Sequence, residues 1–417
     1  MGAASPKASP IAPASPAPPP IRALIDARGE APWRVVGGIP LVTRLVRSLE
    51  LEGVRSIEIV CDVPRPAAAF GARRRGTQVK SILLEAGEPI SRALARCAGE
   101  GLTLAVDGAL VIDRRLLRAL TASPGPCLVP PPPGDARLGL ALLGRGDAAR
   151  LGNPLDPDDP LPRLLPEQLP TFSDEMRGET PILYRAARTP ETAREAGRAL
   201  LRATQKHVMD APARWLDPPI ENAIVTKLAP TRVTPNQVTI ACTLLGFLGA
   251  WLLWQGNFGL ALPLMYLVGW LDGVDGKLAR LRLHYSPLGA GESYLDFAYE
   301  NAWWIAFTAA LSHAGHADAV VWGAALVGGN LLDELAYTIG HARLGIALDL
   351  LSRADGAFRL IAGRRNVYVA MLLVATLLGA PFAGLVSMGA WAVGTGVVHA
   401  LRLVLALRAP TRDGLPA

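Results

Sequence analysis

The chain is 417 residues long, half of them hydrophobic, with a formal charge of +6 and four cysteines. That length holds two or three domains. The positive balance comes from 5 Lys and 37 Arg spread along the chain, too small and too dispersed for a nucleic-acid surface, so no nucleic-acid partner is expected. Cys61, Cys97, Cys127 and Cys242 show no CxxC or other metal spacing and read as reduced thiols.

Residues 1–20 are rich in Ala, Pro and Ser without an apolar core, which predicts a disordered tail rather than a secretory signal. From residue 21 strands and helices alternate. IRALI (21–25) reads as a short buried strand. A helix over 40–51 puts Leu41, Leu45, Val46 and Leu49 on one face. Strand-like runs follow at 57–61, 78–84 and 102–106, the last ending on Asp107-Gly108, with helices at 90–98 and 113–121. Short strands at 127–129 and 138–143 complete an α/β domain over 21–188 with a largely parallel sheet.

Two stretches of this half, VVGGIPLVTRLVRSLELEGVRSIEIV (35–60) and VDGALVIDRRLLRAL (106–120), resemble the nucleotidyltransferases that load CTP or another nucleotide onto sugar or polyol phosphates. The resemblance puts Asp107 where that family holds a metal-binding Asp. The family's Gly-rich loop, whose backbone N–H groups and following cations cradle the triphosphate, is reduced here to DARGEAPWR (26–34), with one Gly. The expectation is a degenerate nucleotidyltransferase-like domain kept as a scaffold or regulatory module. The alternative is a bifunctional enzyme whose first domain still makes a CDP-alcohol.

Residues 145–180 are rich in Pro, Asp and Gly and read as irregular loop. Over 189–233 linker and juxtamembrane helices are expected. Thr189, Pro190 and Glu191 start a helix over 189–207. Trp215, Ile220, Ile224 and Leu228 mark an amphipathic helix, either lying on a membrane surface with Trp215 at headgroup depth or packed on the first domain. TPNQVT (234–239) opens a long apolar region with spans near 238–254, 259–276, 293–312, 318–340, 367–381 and 384–405. This gives an all-α, six-helix transmembrane domain over 234–408, then a tail at 409–417. Three inter-span turns lack Lys and Arg. The opposite loops carry Lys277, Arg280, Arg282, Arg343, Arg353, Arg359, Arg364 and Arg365, and Arg402, Arg408 and Arg412 lie at or beyond the end of the last span. The expectation is therefore an integral protein, of a bacterial inner membrane, with both termini and the loops of the second face in the cytoplasm.

Five carboxylates crowd DGVDGKLARLRLHYSPLGAGESYLDFAYE (272–300), where bilayer depth makes them costly unless they serve a site. Asp272, Asp275 and Ala279 share one helix face. Glu292, Asp296 and Glu300 share another. Facing each other, they form an oxygen cage suited to hard cations such as Mg²⁺.

Asp272, Asp275, Gly276, Ala279 and Arg280 also match the first half of the CDP-alcohol phosphotransferase signature, DxxDGxxAR, and the chain resembles that membrane family over roughly 200–408. The second half, GxxxDxxxD, starts at Gly289 but meets Ser293 and Phe297 at its acidic positions. A shift of one residue brings in Glu292 and Asp296; a longer shift pairs Asp296 with Glu300. The resemblance implies two Mg²⁺ (or Mn²⁺) ions held by Asp272, Asp275 and Glu292 (alternatively Glu300), and Asp296 as the catalytic base. It puts the nucleotide against Gly276, Ala279 and Arg280. Arg359, Arg364 and Arg365 are the candidate acceptor- or phosphate-binding residues, with loop topology as the other explanation for their charge. Asp333 and Glu334 stand outside the motif. The order of domains is similar to the fused enzymes that join an inositol-phosphate cytidylyltransferase to a di-inositol phosphate phosphate synthase. The expected partners are a CDP-alcohol donor, an alcohol acceptor and the lipid bilayer, with a homodimer left open. A catalytically dead membrane scaffold is the competing reading, and a small-solute transporter a more distant one.

Overall fold

The structure is a computed structural model that describes residues 21–71, 74, 76–84, 88–97, 101–150 and 153–408. The expected tails at 1–20 and 409–417 lie outside the described residues. Two compact units separate. One comprises Leu45–Gln168 and Tyr184–Ala186 with the chain up to Pro32; the other comprises Trp33–Arg44, Leu169–Leu183 and everything from Ala187.

In chain order the strands are β1 (Arg22–Asp26), β2 (Val35–Val36), β3 (Ile39–Pro40), β4 (Ser56–Cys61), β5 (Gln78–Leu83), β6 (Thr103–Asp107), β7 (Leu110–Ile112), β8 (Cys127–Leu128), β9 (Leu140–Leu143), β10 (Phe172–Ser173), β11 (Gly178–Glu179) and β12 (Tyr184–Ala186). The first unit is built on a six-stranded sheet in the order β5-β4-β1-β6-β9-β8. β5, β4, β1 and β6 run parallel, and β9 and β8 add an antiparallel edge. The inner strands are nearly continuous apolar runs because a parallel sheet is covered on both faces. Ala23, Leu24 and Ile25 are almost fully buried. Helices α1 (Leu41–Leu51), α2 (Ile90–Cys97) and α3 (Arg114–Thr121) follow the expected periodicity. Asp113 caps α3 by accepting from the Arg115 N–H at 2.9 Å.

The second unit holds α4 (Pro190–Ala203), α5 (Ala211–Trp215), α6 (Asp217–Leu228), α7 (Pro235–Trp254), α8 (Phe258–Arg282), α9 (Pro287–His313), α10 (Ala319–Leu344), α11 (Arg353–Phe358), α12 (Arg365–Leu377) and α13 (Pro381–Arg408). A helix stands at each of the six expected spans. Four of them, α7, α8, α10 and α13, are long and apolar enough to cross a membrane; α12, at 13 residues, is short for one. TPNQ explains the start of α7. Thr234 and Gln237 form a capping box around Pro235 at the first turn, a device that stabilises a helix start by about 1 kcal/mol. The bundle core is aromatic, with Tyr299, Trp303, Trp304 and Phe307 of α9 fully buried and Trp303 Nε1 donating to the Gly246 carbonyl at 2.6 Å. α10 and α13 approach so closely that a Cβ at Gly329 would collide with the backbone of Ala392, the small-residue packing typical of helices without a hydrophobic driving force between them.

Four expectations change. The loop at 145–180 contains a β10–β11 hairpin and two short 3₁₀ turns. The helix expected to reach residue 207 stops at Ala203, with Thr204 as its C-cap. The segment 208–232 is two helices, and α6 buries Asp217, Glu221 and Val225, with Ile224 and Leu228 half-buried against the apolar cluster that holds Val274, Leu278 and Leu281. Lys277, Arg280 and Arg282 are not loop cations, because α8 continues through them. Lys277 ion-pairs with Glu221 at 2.8 Å. Arg282 donates to the carbonyls of Leu228, Ala229 and Thr231, closing the C-terminal end of α6.

Candidate active site

The acidic residues come together where the C-terminal part of α8 and the N-terminal part of α9 face each other. Asp272 on α8 and Glu292 and Asp296 on α9 each offer a carboxylate oxygen, all within 4.8 Å of one another. Asp275, one turn beyond Asp272, is 2% exposed. One of its oxygens accepts from Thr239 Oγ1 at 2.6 Å; the other, Oδ1, is buried without a hydrogen-bond partner. The Glu292 carboxyl sits against those of both Asp275 and Asp272. Two like charges about 4 Å apart repel by roughly 4 kcal/mol at an effective dielectric near 20, so this grouping calls for a positive counter-charge. An all-oxygen donor set with a spare buried oxygen suits a hard divalent cation.

Glu300 lies elsewhere in the network. Arg365, at the start of α12, ion-pairs with Glu300 at 3.1 Å and with Asp272, and donates to the Tyr299 hydroxyl at 2.6 Å. Glu292 and Asp296, the one-residue shift, thus share the cage with Asp272, while Glu300 is engaged by Arg365. Of the expected acceptor set, Arg365 is drawn into the acid cluster itself. Arg359 faces Asp349 at 3.7 Å. Arg364 pairs with Asp333 at 3.3 Å and Glu334 at 3.8 Å and lies over the Tyr337 ring. Asp333 also binds His399 Nδ1, so its burial is answered by two cationic or protonable partners.

Among the expected nucleotide-contacting residues, Gly276 leaves room beside the motif. A Cβ there would first meet the far end of the Arg280 side chain, at 3.2 Å. Arg280 donates through Nε to the Thr204 carbonyl at 3.2 Å, and Ala279 is half-buried. Gly273 has a different role, since a Cβ there would collide with the Glu221 carboxylate. Sequence reasoning missed Thr239, Tyr299 and Lys206. Thr239 closes TPNQVT, so its position was visible though its partner was not. Lys206 faces Asp272 and Glu292 from the α4–α5 connection, where burial, then Arg280 and Arg177, pull its ammonium down to about 8; nothing local in the sequence signals it.

Four helices of this bundle are long and apolar enough to cross a membrane, and its acidic group lies on two facing helices, α8 and α9. Residues 232–413 match the family described as CDP-alcohol phosphatidyltransferase. Similar curated proteins are the "Bifunctional IPC transferase and DIPP synthase" of Rubrobacter xylanophilus (36% identical over 192 residues, 43% of this chain and 38% of the relative) and that of Thermococcus kodakarensis (31% over 191 residues, 45% and 42%). The Aquifex aeolicus protein of the same name is 26% identical over 199 residues, 46% of this chain and 44% of the relative. The matches thus span about two fifths of the length of these relatives. Among solved structures, the chain is similar to a putative glucose-1-phosphate thymidylyltransferase from Bacillus anthracis in complex with a sucrose (12% identity, 43% of this chain, 94% of that chain, TM-score 0.30). It is also similar to HddC from Yersinia pseudotuberculosis (13%, 42% and 98%, TM-score 0.28).

Proposed function

We propose that this protein is a membrane CDP-alcohol phosphotransferase, moving a phospho-alcohol group from a CDP-alcohol to an acceptor hydroxyl and releasing CMP. The grouping of Asp272, Glu292 and Asp296 across α8 and α9, on a complete DxxDGxxAR motif, is the observation that carries this reading. Asp272, Asp275 and Glu292 would hold two divalent ions, Mg²⁺ or Mn²⁺, whose positive charge would stabilise the charge that builds on phosphorus. Asp296 takes the proton as the acceptor oxygen bonds to the phosphorus bearing the alcohol. The bond from that phosphorus to the bridging oxygen breaks, and CMP leaves with the electron pair. Gly276, Ala279 and Arg280 receive the nucleotide. All six long and short bundle helices cross the bilayer, with the site and both termini on the cytoplasmic side, as the arginine distribution supports. An apolar groove of ≈ 670 Å³ beside α12 and α13, lined by Val367, Met371, Val374 and Leu378 among others, gives a lipid-borne substrate a place for its chain.

Purified full-length protein in detergent is expected to release CMP from at least one of a panel of CDP-alcohols. Asp272→Asn should lower that rate roughly 10²-fold or more. A chelator should abolish it, and added Mg²⁺ or Mn²⁺ should restore it. Equal CMP release by wild type and Asp272→Asn sinks the assignment.

A further inference from the structure

Residues 33–44 belong to the compact unit of the bundle, although Pro32 before them and Leu45 after them belong to the α/β unit. Within them β2 and β3 form a hairpin. Its turn residues, Gly37 and Gly38, have φ of 62° and 84°, the left-handed pair that a two-residue hairpin turn demands. The turn also has no room for side chains. A Cβ on Gly38 would stand 2.1 Å from the carbonyl oxygen of Ala229, the C-cap of α6, and one on Gly37 would meet Leu281 of α8 at 2.9 Å.

The last carbonyls of a helix have no partner within it, and a last turn left so frays. In α8 that turn is residues 279–282. The Ala279 carbonyl accepts from the His284 N–H at 2.8 Å, and that of Arg280 from the Leu283 N–H at 3.3 Å. The Leu281 carbonyl is completed from far away in sequence. Arg44, 3% exposed, donates through Nη2 to it at 2.6 Å and to the Val36 carbonyl at 2.9 Å. One guanidinium thus ties the hairpin to the end of α8, while Arg282 ties the same end to the α6 carbonyls of Leu228 and Ala229. Gly276, Ala279 and Arg280 lie in the last two turns of α8, and Asp272 lies about 14 Å back along the helix from Leu281.

We propose that residues 33–44 cap the motif helix, with Arg44 as a positioning residue that keeps Gly276, Ala279 and Arg280 in place for a cytidine nucleotide. The ligand rests on the transferase reading; the cap itself does not. The proposal also gives the nucleotidyltransferase-like sequence a task. VVGGIPLVTR, the start of the stretch 35–60 that carries the resemblance, completes the transferase unit. A chain without a working triphosphate cradle therefore still needs it.

The test uses full-length protein in detergent. Hydrogen exchange reads the cap without turnover: Arg44→Gln and Gly38→Ala should speed exchange of the amides of residues 278–284 about tenfold, with exchange in β1 and β4 unchanged. Calorimetric titration with CMP and Mg²⁺ reads the positioning. Both variants should bind CMP about tenfold more weakly, and Arg44→Lys, which keeps a donor for the Leu281 carbonyl, should recover most of the loss. In CMP release, Arg44→Gln should raise the donor KM about tenfold, with kcat and the acceptor KM within about twofold. Gly53→Ala is the control, because Gly53 has φ 87° and a Cβ there meets nothing within 4 Å; it should match wild type in exchange over 278–284 and in CMP affinity. If wild type neither binds nor releases CMP, the transferase reading falls, and exchange alone decides whether residues 33–44 cap α8. Unchanged exchange over 278–284 in both variants overturns the cap. Faster exchange with undiminished CMP affinity, or an equal loss of affinity in Gly53→Ala, overturns the positioning role.

Discussion

Asp217 illustrates how single charges are tuned at the edge of the bundle. It starts α6, is buried, and accepts from Trp270 Nε1 at 3.0 Å. Burial, then the neighbouring Glu221, push its carboxyl up to about 6 from an ordinary value near 3.8, against the Trp270 bond. A folded-state value above the unfolded one means that the native protein binds the proton more tightly between about pH 4 and pH 6. The stabilising contribution is thus complete below about pH 4 and is lost as pH rises through 6. Asp217→Asn keeps an acceptor for Trp270 and removes the charge. Its Tm should exceed that of wild type at pH 7–8 and equal it near pH 4; a Tm that falls at neutral pH would contradict this account. Such a shift is not legible in a sequence, where Asp217 is one carboxylate before two prolines. The main motif is legible for the opposite reason. Asp272, Asp275 and Gly276 lie within one turn and a half of one helix, so spacing alone fixes their common face.

At the scale of elements, α6 and α8 show why motif positions can hide a packing role. Glu221 of α6 enters the turn of α8 that carries the motif, pairing with Lys277 and touching the backbone at Gly273. The two glycines of DGVDG therefore differ. Gly273→Ala forces the α6 carboxylate away and should cost about 1–3 kcal/mol of stability, as overpacking does. Gly276→Ala meets first the far end of the Arg280 side chain, at 3.2 Å, and should change stability by less than about 0.5 kcal/mol, its effect being confined to nucleotide affinity. Thermal or denaturant unfolding in detergent reads the difference; equal losses would mean that the α6 contact is not what excludes a side chain at 273. Ile224 and Leu228 pack on the cluster holding Val274, Leu278 and Leu281 as an apolar face should, but hydrophobic periodicity is blind to Asp217 and Glu221, which α8 buries through Trp270 and Lys277. The same blindness covers the β10–β11 hairpin. Its strands are two residues each, too short for any alternating pattern, and only its partners define it.

For the whole molecule, the open matter is whether the α/β unit performs the nucleotidyl transfer that its sequence resembles. A triphosphate cradle needs free backbone N–H groups and free cations. In the loop after β1, Arg28 is committed to Asp26 through Nε and Nη2, both at 2.8 Å, and to the Glu88 carbonyl at 2.5 Å. The N–H of Gly29, the loop's one glycine, donates to Asp62 at 2.9 Å. Asp107, the residue corresponding to a metal ligand, accepts from the Ala109 N–H at 2.8 Å in a local turn. The Arg28 guanidinium and the Gly29 N–H are thus engaged inside the protein, and the α/β sheet persists because its buried strands, such as Ala23–Ile25, do not depend on that loop. Full-length protein incubated with CTP, Mg²⁺ and a panel of polyol monophosphates is expected to release no pyrophosphate above the no-enzyme control, while the same preparation consumes a CDP-alcohol supplied from outside. Stoichiometric pyrophosphate from any member of the panel would make the chain bifunctional and show that the Arg28 and Gly29 contacts open to admit the nucleotide.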